Sequence, residues 1–513
     1  MEVYTGDGLM NLFEDRHPGE YKKRFLYEEL KDFIIDEKDF RVCCLYGLRR
    51  TGKTIMMAQM LQRLGKWDNS MYILCDEGES LGSIRKEIDK VDVKYIFIDE
   101  ITKTYDFINT CSVLSDSYAL SGKKIVMAGT DSLGFQISKY DELFDRVKLI
   151  HTTYIPYKEY NYLIGKGIDY YISYGGLLIS EDEERYNNDI LKEYTDGAIA
   201  KNILHSLEKW KRGNNNVLTR LKKMYDETDF ISIIHKVIDR ENRDFLVSTV
   251  NNNFSAEEFG SFYDLMVKHP VQGIDESTID KKEFIDKFRV MLGVREPLTV
   301  MYDEYSVGLI RDYLVDLDML YRVKGSDEYV IIQPGIRHYH TMVLIDALFN
   351  EFIDAPVTAK KEMENKLITA VCGHILEDMI YVDIIKSAEN DKNIVVEKYS
   401  EDRIGREFDV TIYDISLKKT VAIEVKHSSV KDKHQTRHLK DEEFCSEFEQ
   451  KNGVEIAAKL LIYNGEDDYV DGIHYINAGE FLCDIEGYLY ELSGIKLGQG
   501  INGNHMLQDD RGI

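Results

Sequence analysis

The sequence has few of the features that mark membrane-bound, secreted or low-complexity proteins. Its 513 residues include only 6 prolines, 2 tryptophans and 7 cysteines, and no apolar stretch reaches the 18 or more residues that a bilayer span requires. Apart from the adjacent Cys43 and Cys44, the cysteines are scattered, without the spacing of a zinc site or a disulfide framework. We therefore expect a cytoplasmic protein with short linkers, no membrane partner and several buried cores.

Negative charge outweighs positive charge. The 65 Lys and Arg residues stand against 92 Asp and Glu residues, and the formal charge of −27 would repel a polyanion from most of the surface. Contact with DNA or RNA must therefore be local, although a solvated helix face is an equally good interpretation of a single basic run. The densest basic run comprises Lys426, His427, Lys431, Lys433, His434, Arg437, His438 and Lys440.

A glycine-containing run directly follows Val42 to Tyr46, an apolar stretch typical of a buried strand. It matches the phosphate-loop pattern G-x-x-x-x-G-K-[ST] at every fixed position, whereas a plain glycine turn is the alternative. Backbone N–H groups of such a loop and the following helix N-terminus face the phosphates of a nucleoside triphosphate. Lys53 would reach the β- and γ-phosphates, and the Thr54 hydroxyl would bind Mg²⁺. The run predicts an ATP and Mg²⁺ site formed by Gly47, Arg49, Arg50, Thr51, Gly52, Lys53 and Thr54.

Two carboxylates end the apolar run that begins at Tyr95. We expect a parallel strand on which Asp99 and Glu100 emerge at the carboxyl end, with Lys53 on a neighbouring strand. Asp99 would hold the Mg²⁺ shell, and Glu100 would orient or deprotonate the water that attacks the γ-phosphate. A third strand delivers Thr130 to the same edge, as a ligand of the γ-phosphate or as a turn threonine without a role.

The order of these motifs carries a family resemblance. The paired arginines of the loop, the segment Phe97 to Ile101 and the segment Ala128 to Ser132 are similar to those of archaeal-type and bacterial AAA-like ATPases. The segments Ile155 to Tyr160 and Tyr174 to Gly176 resemble further elements of that family. The resemblance covers about residues 21–176 and implies a P-loop α/β domain with ATPase (NTP phosphohydrolase) activity.

The segment that ends at Arg146 matches its family element less completely. The segment Leu143 to Arg146 resembles the family's Leu-x-Gly-Arg element, but Asp145 replaces the glycine. The resemblance implies that Arg146 is a γ-phosphate sensor or an arginine finger. A surface ion pair with Asp145 or Asp141 is the competing interpretation.

Far downstream, two alternating segments flank a polar connection and predict a β-hairpin. With a period of two, Phe408, Val410 and Ile412 would share one face, which leaves Asp409 on the other. The second strand would likewise present Glu424 and Lys426, so that the three charged groups converge on one surface, and an upstream helix could add Glu377. Carboxylates and a lysine in this arrangement suit metal-assisted phosphodiester hydrolysis.

This part of the chain, about residues 365–490, resembles the PD-(D/E)XK nuclease superfamily. The resemblance implies that Asp409 and Glu424 are metal ligands, that Lys426 positions or activates the water, and that Glu377 is an auxiliary metal ligand. A hairpin whose charged residues simply face solvent is the alternative.

Between the two sites, the sequence pattern predicts helices over about residues 190–285. A further helix and a short hairpin follow, and together they resemble a winged helix. The candidate recognition helix is acidic at both ends, which favours a lid or spacer over a reader of the major groove. We expect an α/β fold class throughout: a P-loop parallel-sheet ATPase domain (1–175), a helical and winged-helix middle region (176–345), an α/β PD-(D/E)XK nuclease-like domain (346–497) and a flexible tail (498–513).

Two functional hypotheses follow. In the first, the nucleotide state of an ATPase controls a nuclease-like domain that cleaves nucleic acid with a divalent metal. In the second, the C-terminal module is catalytically inactive, and the protein is an ATP-dependent switch that binds a protein partner or DNA. The sequence leaves the oligomeric state open.

Overall fold

The computed structural model describes residues 1–107, 111–130, 145–178, 227–253, 304–323, 329–351, 357–401 and 406–497, and the structural statements below concern these ranges. Most of the region predicted to be helical, 190–285, and the tail predicted to be flexible, 498–513, lie outside them.

The N-terminal domain is built on a six-stranded sheet. Its strands are β1 (Glu2–Thr5), β2 (Val42–Tyr46), β3 (Ser70–Leu74), β4 (Tyr95–Asp99), β5 (Lys124–Gly129) and β6 (Val147–His151). Their order is β1-β3-β4-β5-β2-β6, and all neighbours run parallel except β1, which pairs antiparallel with β3. The strands β2, β4 and β5 are buried along their whole length, as expected for parallel strands covered on both faces. The predicted parallel-sheet α/β domain is confirmed.

The position of β5 corrects one expectation. This strand lies between β2 and β4, so the strand that carries Asp99 is not the neighbour of the strand that precedes the phosphate loop. Met127 of β5 pairs with Cys44 on one side and Ile98 on the other. Because the three strands are parallel and in this register, their carboxyl ends still meet at one edge.

Helices cover both faces of this sheet. Helix α3 begins directly after Gly52, whose φ of +86° turns the chain into the helix, and it buries Met56, Met57 and Met60 against one face. The α-helices are α1 (Gly6–Glu14), α2 (Tyr27–Ile35), α3 (Lys53–Leu64), α4 (Leu81–Ile88), α5 (Ser112–Ser117), α6 (Tyr157–Ile164) and α7 (Ile168–Tyr174), with 3₁₀ turns at Pro18–Glu20, Trp67–Asn69, Ile101–Lys103 and Ala119–Ser121.

The described part of the middle region contains three helices and a short hairpin. They are α8 (Glu227–Asn253), α9 (Glu304–Asp316), β7 (Leu320–Arg322), β8 (Tyr329–Ile331) and α10 (Pro334–Glu351). The strands β7 and β8 pair antiparallel directly after α9, which agrees with the predicted helix and hairpin. Whether the unit is a winged helix stays a prediction.

The C-terminal domain has a second six-stranded sheet, of order β13-β14-β12-β11-β10-β9. The strands β11, β12 and β14 are parallel, and the remaining pairs are antiparallel. The elements are α11 (Val357–Ala388), β9 (Ile394–Glu401), β10 (Arg406–Asp414), β11 (Lys419–Lys426), a 3₁₀ turn (Lys433–Thr436), α12 (Arg437–Lys440), α13 (Glu442–Asn452), β12 (Glu455–Tyr463), β13 (Asp468–Val470), β14 (Ile473–Asn477), α14 (Ala478–Cys483) and α15 (Ile485–Ser493).

The predicted hairpin is present as β10 and β11, but one residue faces the other way. The pairing of β10 with β9 shifts between Phe408 and Thr411, which is the signature of a β-bulge. Val410 and Ile412 therefore pack in the core beneath α11, whereas Phe408 packs with Phe444 in a separate cluster. The prediction that Phe408 shares their face was wrong because a bulge resets the period of two.

The domains meet at a polar junction. His151, the last residue of β6, stacks on Tyr46 with ring centroids 4.5 Å apart, and its Nδ1 lies 3.0 Å from Asp318 Oδ2. Lys386 of α11 lies 3.7 Å from the other oxygen of Asp318. One carboxylate of the middle region thus contacts both flanking domains.

None of the helices within the described ranges combines the length and the apolar character needed to cross a membrane.

The contact between α7 and α10 yields a matched pair of substitutions. A Cβ at Gly335 would lie 2.7 Å from the Tyr174 carbonyl carbon and 2.9 Å from the Gly175 oxygen, whereas a Cβ at Gly308 would meet nothing within 4 Å. We expect Gly335→Ala to lower the free energy of unfolding by about 1–3 kcal/mol. Gly308→Ala should leave it unchanged or raise it by up to ~1 kcal/mol, because alanine favours a helix interior. Urea denaturation of both variants measures the difference, and equal effects would contradict this packing.

Candidate functional site

The phosphate loop is fixed by close contacts to the end of β6. Gly47 has a φ of +143°, and a Cβ there would lie 2.6 Å from the hydroxyls of both Thr152 and Thr153. The Thr153 hydroxyl accepts a hydrogen bond of 2.9 Å from the Leu48 N–H. Only glycine fits at position 47, because any side chain would displace the loop from the strand that supports it.

Lys53 lies inside the loop. Its ammonium donates hydrogen bonds to the carbonyl oxygens of Gly47 at 2.8 Å and Leu48 at 2.6 Å, and the residue is only 6% exposed. Burial lowers the pKa of Lys53 to about 8, against a smaller opposing effect of Glu100 and Asp99. The charged form of this lysine is therefore less favoured than usual until an anion is present.

Asp99 is held by two hydroxyl groups. Its Oδ2 accepts hydrogen bonds from Thr54 Oγ1 at 2.7 Å and from the Tyr72 hydroxyl at 2.9 Å. The residue is 3% exposed. The structure thus brings together the two predicted Mg²⁺ ligands, and Tyr72 is a supporting residue that the sequence analysis missed, since a tyrosine in a buried strand carries no motif.

Glu100 occupies the edge of the sheet beside the loop. Its backbone is left-handed, with a φ of +55°, and its buried Oε2 has no hydrogen-bond partner within the part of the chain that the structure describes. Glu100, Thr130, Lys53 and Thr54 all line one cavity of about 410 Å³. The role of Glu100 in orienting or deprotonating the attacking water stays a prediction.

Arg49 and Arg50 also line this cavity. Arg50 is left-handed, with a φ of +62°, and its carbonyl accepts a 2.8 Å hydrogen bond from the Leu178 N–H. The loop is thus attached to the segment that follows the Gly-Gly pair of the sequence analysis.

A buried ion pair that sequence reasoning did not find supports the loop from below. Arg24 and Glu159 are each 3% exposed and form two contacts, of 2.6 Å and 3.1 Å. The same guanidinium donates a hydrogen bond to the Thr51 carbonyl of the loop. Glu159 belongs to the segment Ile155 to Tyr160, which was noted only as a family element, and nothing in the local sequence marks Arg24.

Arg146 is not brought to this cavity. It precedes β6, and its carbonyl accepts a hydrogen bond from the N–H of Val42, the first residue of β2, so it lies at the opposite edge of the sheet from the loop. Its guanidinium is half exposed and lies 2.9 Å from Asp116. The ion pair of Arg146 has Asp116 as its partner, a residue that the sequence analysis did not name, and Asp141 lies outside the described residues. The role of Arg146 as a γ-phosphate sensor or an arginine finger stays a prediction.

The second predicted site converges as expected around β10 and β11. The Lys426 ammonium lies 3.1 Å from Asp409 and 3.2 Å from Glu424, and Glu424 in turn lies 3.3 Å from His438 Nδ1. The side chains of Asp409 and Glu424 are 8% and 5% exposed, so they do not face open solvent as the alternative supposed. Burial, together with repulsion from Asp409, raises the pKa of Glu424 to about 7. Burial alone would lower the pKa of Lys426, but the attraction of Asp409 and Glu424 raises it instead.

Glu377 lies near this group but has its own partner. His374 Nδ1 is 2.8 Å from Glu377 Oε2, one helical turn away on α11. Glu377 and Asp409 line a common cleft, and Glu424 is not among the residues that line it. Over the ranges that the structure describes, no three Asp, Glu, His or Cys side chains are arranged to hold a metal ion. The role of Glu377, Asp409 and Glu424 as metal ligands stays a prediction.

Several members of the basic run contact acidic residues. Besides Lys426 and His438, three of its members contact acidic residues from elsewhere: His427 with Asp169 at 2.9 Å, Lys431 with Asp468, and Lys440 with Asp471 at 2.8 Å. The run therefore offers less positive potential to a nucleic acid than its sequence indicates.

Comparison with known proteins supports the first site. Residues 39–161, which include the loop, Asp99 and Glu100, match the family model described as an AAA domain. A comparison with curated proteins found no match. The chain thus contains an AAA-type P-loop domain, and the comparisons do not bear on the nuclease-like and winged-helix expectations.

Several solved structures share a weak similarity with the chain. The Walker-type ATPase of Pyrococcus abyssi is 11% identical, with 62% of this chain and 95% of that chain covered and a TM-score of 0.30. The ORC2 protein of Aeropyrum pernix in ADPNP-ADP complexes is 8% identical (64% and 93% covered, TM-score 0.30). AMPPCP-bound DnaA from Aquifex aeolicus is 13% identical (66% and 92% covered, TM-score 0.24). At these TM-scores the similarity carries no argument about function.

The lowered pKa of Lys53 predicts a pH dependence of nucleotide binding. Phosphates favour the ammonium form of Lys53, so nucleotide binding raises the pKa of this lysine above its free value of about 8. At a pH between the free and the bound pKa, the protein takes up a proton when it binds the nucleotide. The affinity for a magnesium–ATP analogue should be constant from pH 7 to about 8 and then fall by up to about tenfold per pH unit. Calorimetry in buffers of different ionisation enthalpy measures the affinity and the proton uptake together. An affinity that does not change up to pH 9.5 would contradict the buried state of Lys53.

Proposed function

We propose that this protein binds and hydrolyses ATP at the phosphate-loop site and that its nucleotide state controls the C-terminal nuclease-like domain. One observation carries the first part: Lys53, Thr54, Glu100 and Thr130 line a single cavity, with Asp99 hydrogen-bonded to Thr54. The match of residues 39–161 to the AAA domain supports the same activity.

The residues present suit a magnesium nucleotide. Thr54 and Asp99 offer the hard oxygen ligands that Mg²⁺ prefers, and they already lie within hydrogen-bond distance of each other. When bound, the ion would offset the negative charge of the terminal phosphates. Lys53 binds the β- and γ-phosphates. Glu100 orients the attacking water through its buried Oε2, which has no hydrogen-bond partner among the residues that the structure describes.

Direct contacts connect the phosphate loop with the C-terminal domain. Thr51 is attached through Arg24 to Glu159 of α6, and the adjacent α7 carries Asp169, which contacts His427. His427 directly follows Lys426 in the chain. A shift of the loop on nucleotide exchange can therefore reach the second site through two packed helices.

Two roles for the C-terminal domain remain, and each has an observation in its favour. The convergence of Asp409, Glu424 and Lys426 favours divalent-metal cleavage of DNA or RNA. The ammonium between the two carboxylates, together with the acidic partners of the basic run, favours the second candidate, a switch whose inactive module binds a protein partner or DNA.

The ATPase assignment predicts that two substitutions impair different steps, nucleotide binding and hydrolysis. Lys53→Ala should abolish both nucleotide binding and turnover, because the phosphates lose their cationic partner. Glu100→Gln should still bind the nucleotide but should hydrolyse ATP on the order of 100-fold or more slowly, since the substitution removes the general base. Calorimetry with magnesium–ATP and a steady-state phosphate assay separate the two effects, with Lys66→Ala as a control on an exposed lysine. Wild-type turnover in either site variant would refute the assignment.

The nuclease assignment predicts cleavage that depends on Glu424. With Mg²⁺ or Mn²⁺, the wild type should cleave single- or double-stranded DNA or RNA, and Glu424→Gln should reduce the rate by at least about 100-fold. Glu443→Gln, on the exposed face of α13, is the matched control. Equal background signal in all three proteins would leave the switch as the function of this domain.

A further inference from the structure

Three donors among the described residues hydrogen-bond the Asp99 carboxylate. Thr54 Oγ1 and the Tyr72 hydroxyl donate to Oδ2 at 2.7 Å and 2.9 Å, and the Glu100 N–H donates to Oδ1 at 2.9 Å. Thr54 and Glu100 belong to the motifs of the nucleotide site, whereas Tyr72 belongs to no motif. Because the donors approach both oxygens, they fix the plane of the carboxylate as well as its position.

Tyr72 reaches Asp99 because of the register between β3 and β4. Tyr72 pairs with Phe97, and Leu74 pairs with Asp99, two residues further along each strand. Residues two apart on a strand share a face and lie roughly 6.6 Å apart, a distance that the length of a tyrosine side chain covers. Tyr72 and Phe97 both pack in the core on the α3 side of the sheet. A phenylalanine at position 72 would fill the same space but would donate nothing to Asp99.

The surroundings of Tyr72 hold its hydroxyl in one place. The side chain is 0% exposed, and Phe13 of α1 packs edge-on against its ring, with centroids 5.0 Å apart. A buried tyrosine hydroxyl needs a hydrogen-bond partner, and a bond to an ionised carboxylate is stronger than one between neutral groups. The ring is thus fixed by packing, and its hydroxyl is aimed at Oδ2 of Asp99.

The orientation of Asp99 matters for the chemistry of the nucleotide site. A hydroxyl donates and accepts at the same time, so Thr54 can keep its bond to Asp99 while its oxygen faces a cation. Groups that hydrogen-bond a metal-binding carboxylate set its orientation, and their removal typically lowers metal affinity by about 10–100-fold. Tyr72 stands in this relation to Asp99, although it does not line the nucleotide cavity itself.

We propose that Tyr72 is a positioning residue of the nucleotide site, whose hydroxyl holds the Asp99 carboxylate in the orientation that binds Mg²⁺ with the nucleotide. The inference rests on the proposed function, because it concerns the same site. It assigns Tyr72 no contact with the nucleotide, so the loss of its hydroxyl should affect the contribution of Mg²⁺ and leave the phosphate loop unchanged.

The magnesium dependence of binding tests this role. Calorimetry measures the affinity for a non-hydrolysable ATP analogue once with Mg²⁺ and once with EDTA. The ratio of the two affinities should fall about tenfold in Tyr72→Phe, with the affinity in EDTA unchanged. Tyr118→Phe is the matched control, because it removes a 2.7 Å hydrogen bond from a tyrosine hydroxyl to Asp89 in the same domain. Tyr118 is not among the residues that line the nucleotide cavity.

Two further measurements separate positioning from a merely structural role. In Tyr72→Phe, the Mg²⁺ concentration for half-maximal ATP turnover should rise about tenfold, while kcat at saturating Mg²⁺ stays within about twofold of the wild type. Adding Tyr72→Phe to Asp99→Asn should cause no further loss of the magnesium effect, because Tyr72 acts through Asp99. Urea denaturation of each variant reports the stability of the fold independently.

An unchanged affinity ratio in Tyr72→Phe, or an equal fall in Tyr118→Phe, would overturn the inference. So would a loss of affinity in EDTA as large as the loss with Mg²⁺, since Tyr72 would then shape the phosphate loop. A wild type that binds no magnesium nucleotide would refute the proposed function and this inference together. A wild type that binds, with the full magnesium effect retained in Tyr72→Phe, would refute this inference alone.

Discussion

The buried ion pair of Arg24 and Glu159 is the interaction on which the rest of the structure depends. Breaking such a pair leaves one charge uncompensated in the interior, at a cost of about 3–5 kcal/mol. Here the same guanidinium also holds the Thr51 carbonyl, so the conformation of the phosphate loop and the position of α6 are set together. A change in the conformation of the loop at Thr51 is therefore coupled to the position of α6.

Contacts on both sides of the loop also connect it with the other domains. Helix α6 is followed by α7, which contacts His427 beside the second site and Gly335 at the start of α10. On the other side of the loop, Tyr46 stacks on His151, whose partner Asp318 also approaches Lys386. Two independent routes thus lead from the ends of the loop to α11 and β11, the elements that carry Glu377 and Lys426. If the packed elements along either route adopt two alternative arrangements, the two sites are coupled, because packed elements shift as units rather than deform continuously.

The features that could be predicted from the sequence are those that short runs of neighbouring residues determine. The loop, the strand that ends at Asp99 and the hairpin that carries Glu424 each follow from a short run of residues, and all three are in place. What could not be predicted depends on tertiary structure. Arg24 finds its partner 135 residues away, and the insertion of β5 between two motif strands is a matter of topology. The orientation of Phe408 follows from a bulge, and several members of the basic run contact carboxylates from distant segments. A pattern of period two or a local charge count contains none of this information.

The arrangement around Lys426 suggests how the two candidate roles of the C-terminal domain are related. Glu424 is almost fully buried, and burial together with repulsion from Asp409 raises its pKa to about 7 against the opposing effects of His438 and Lys426. Lys426 is the counter-ion of Glu424 and Asp409 at once. In the nuclease hypothesis, a divalent ion held by the same carboxylates would take over this neutralisation, with Lys426 acting on the water beside it. In the switch hypothesis, Lys426 remains the counter-ion of both carboxylates. The two hypotheses therefore differ in what neutralises one pair of buried carboxylates, and His427, the residue after Lys426, contacts Asp169 of α7 beside that pair.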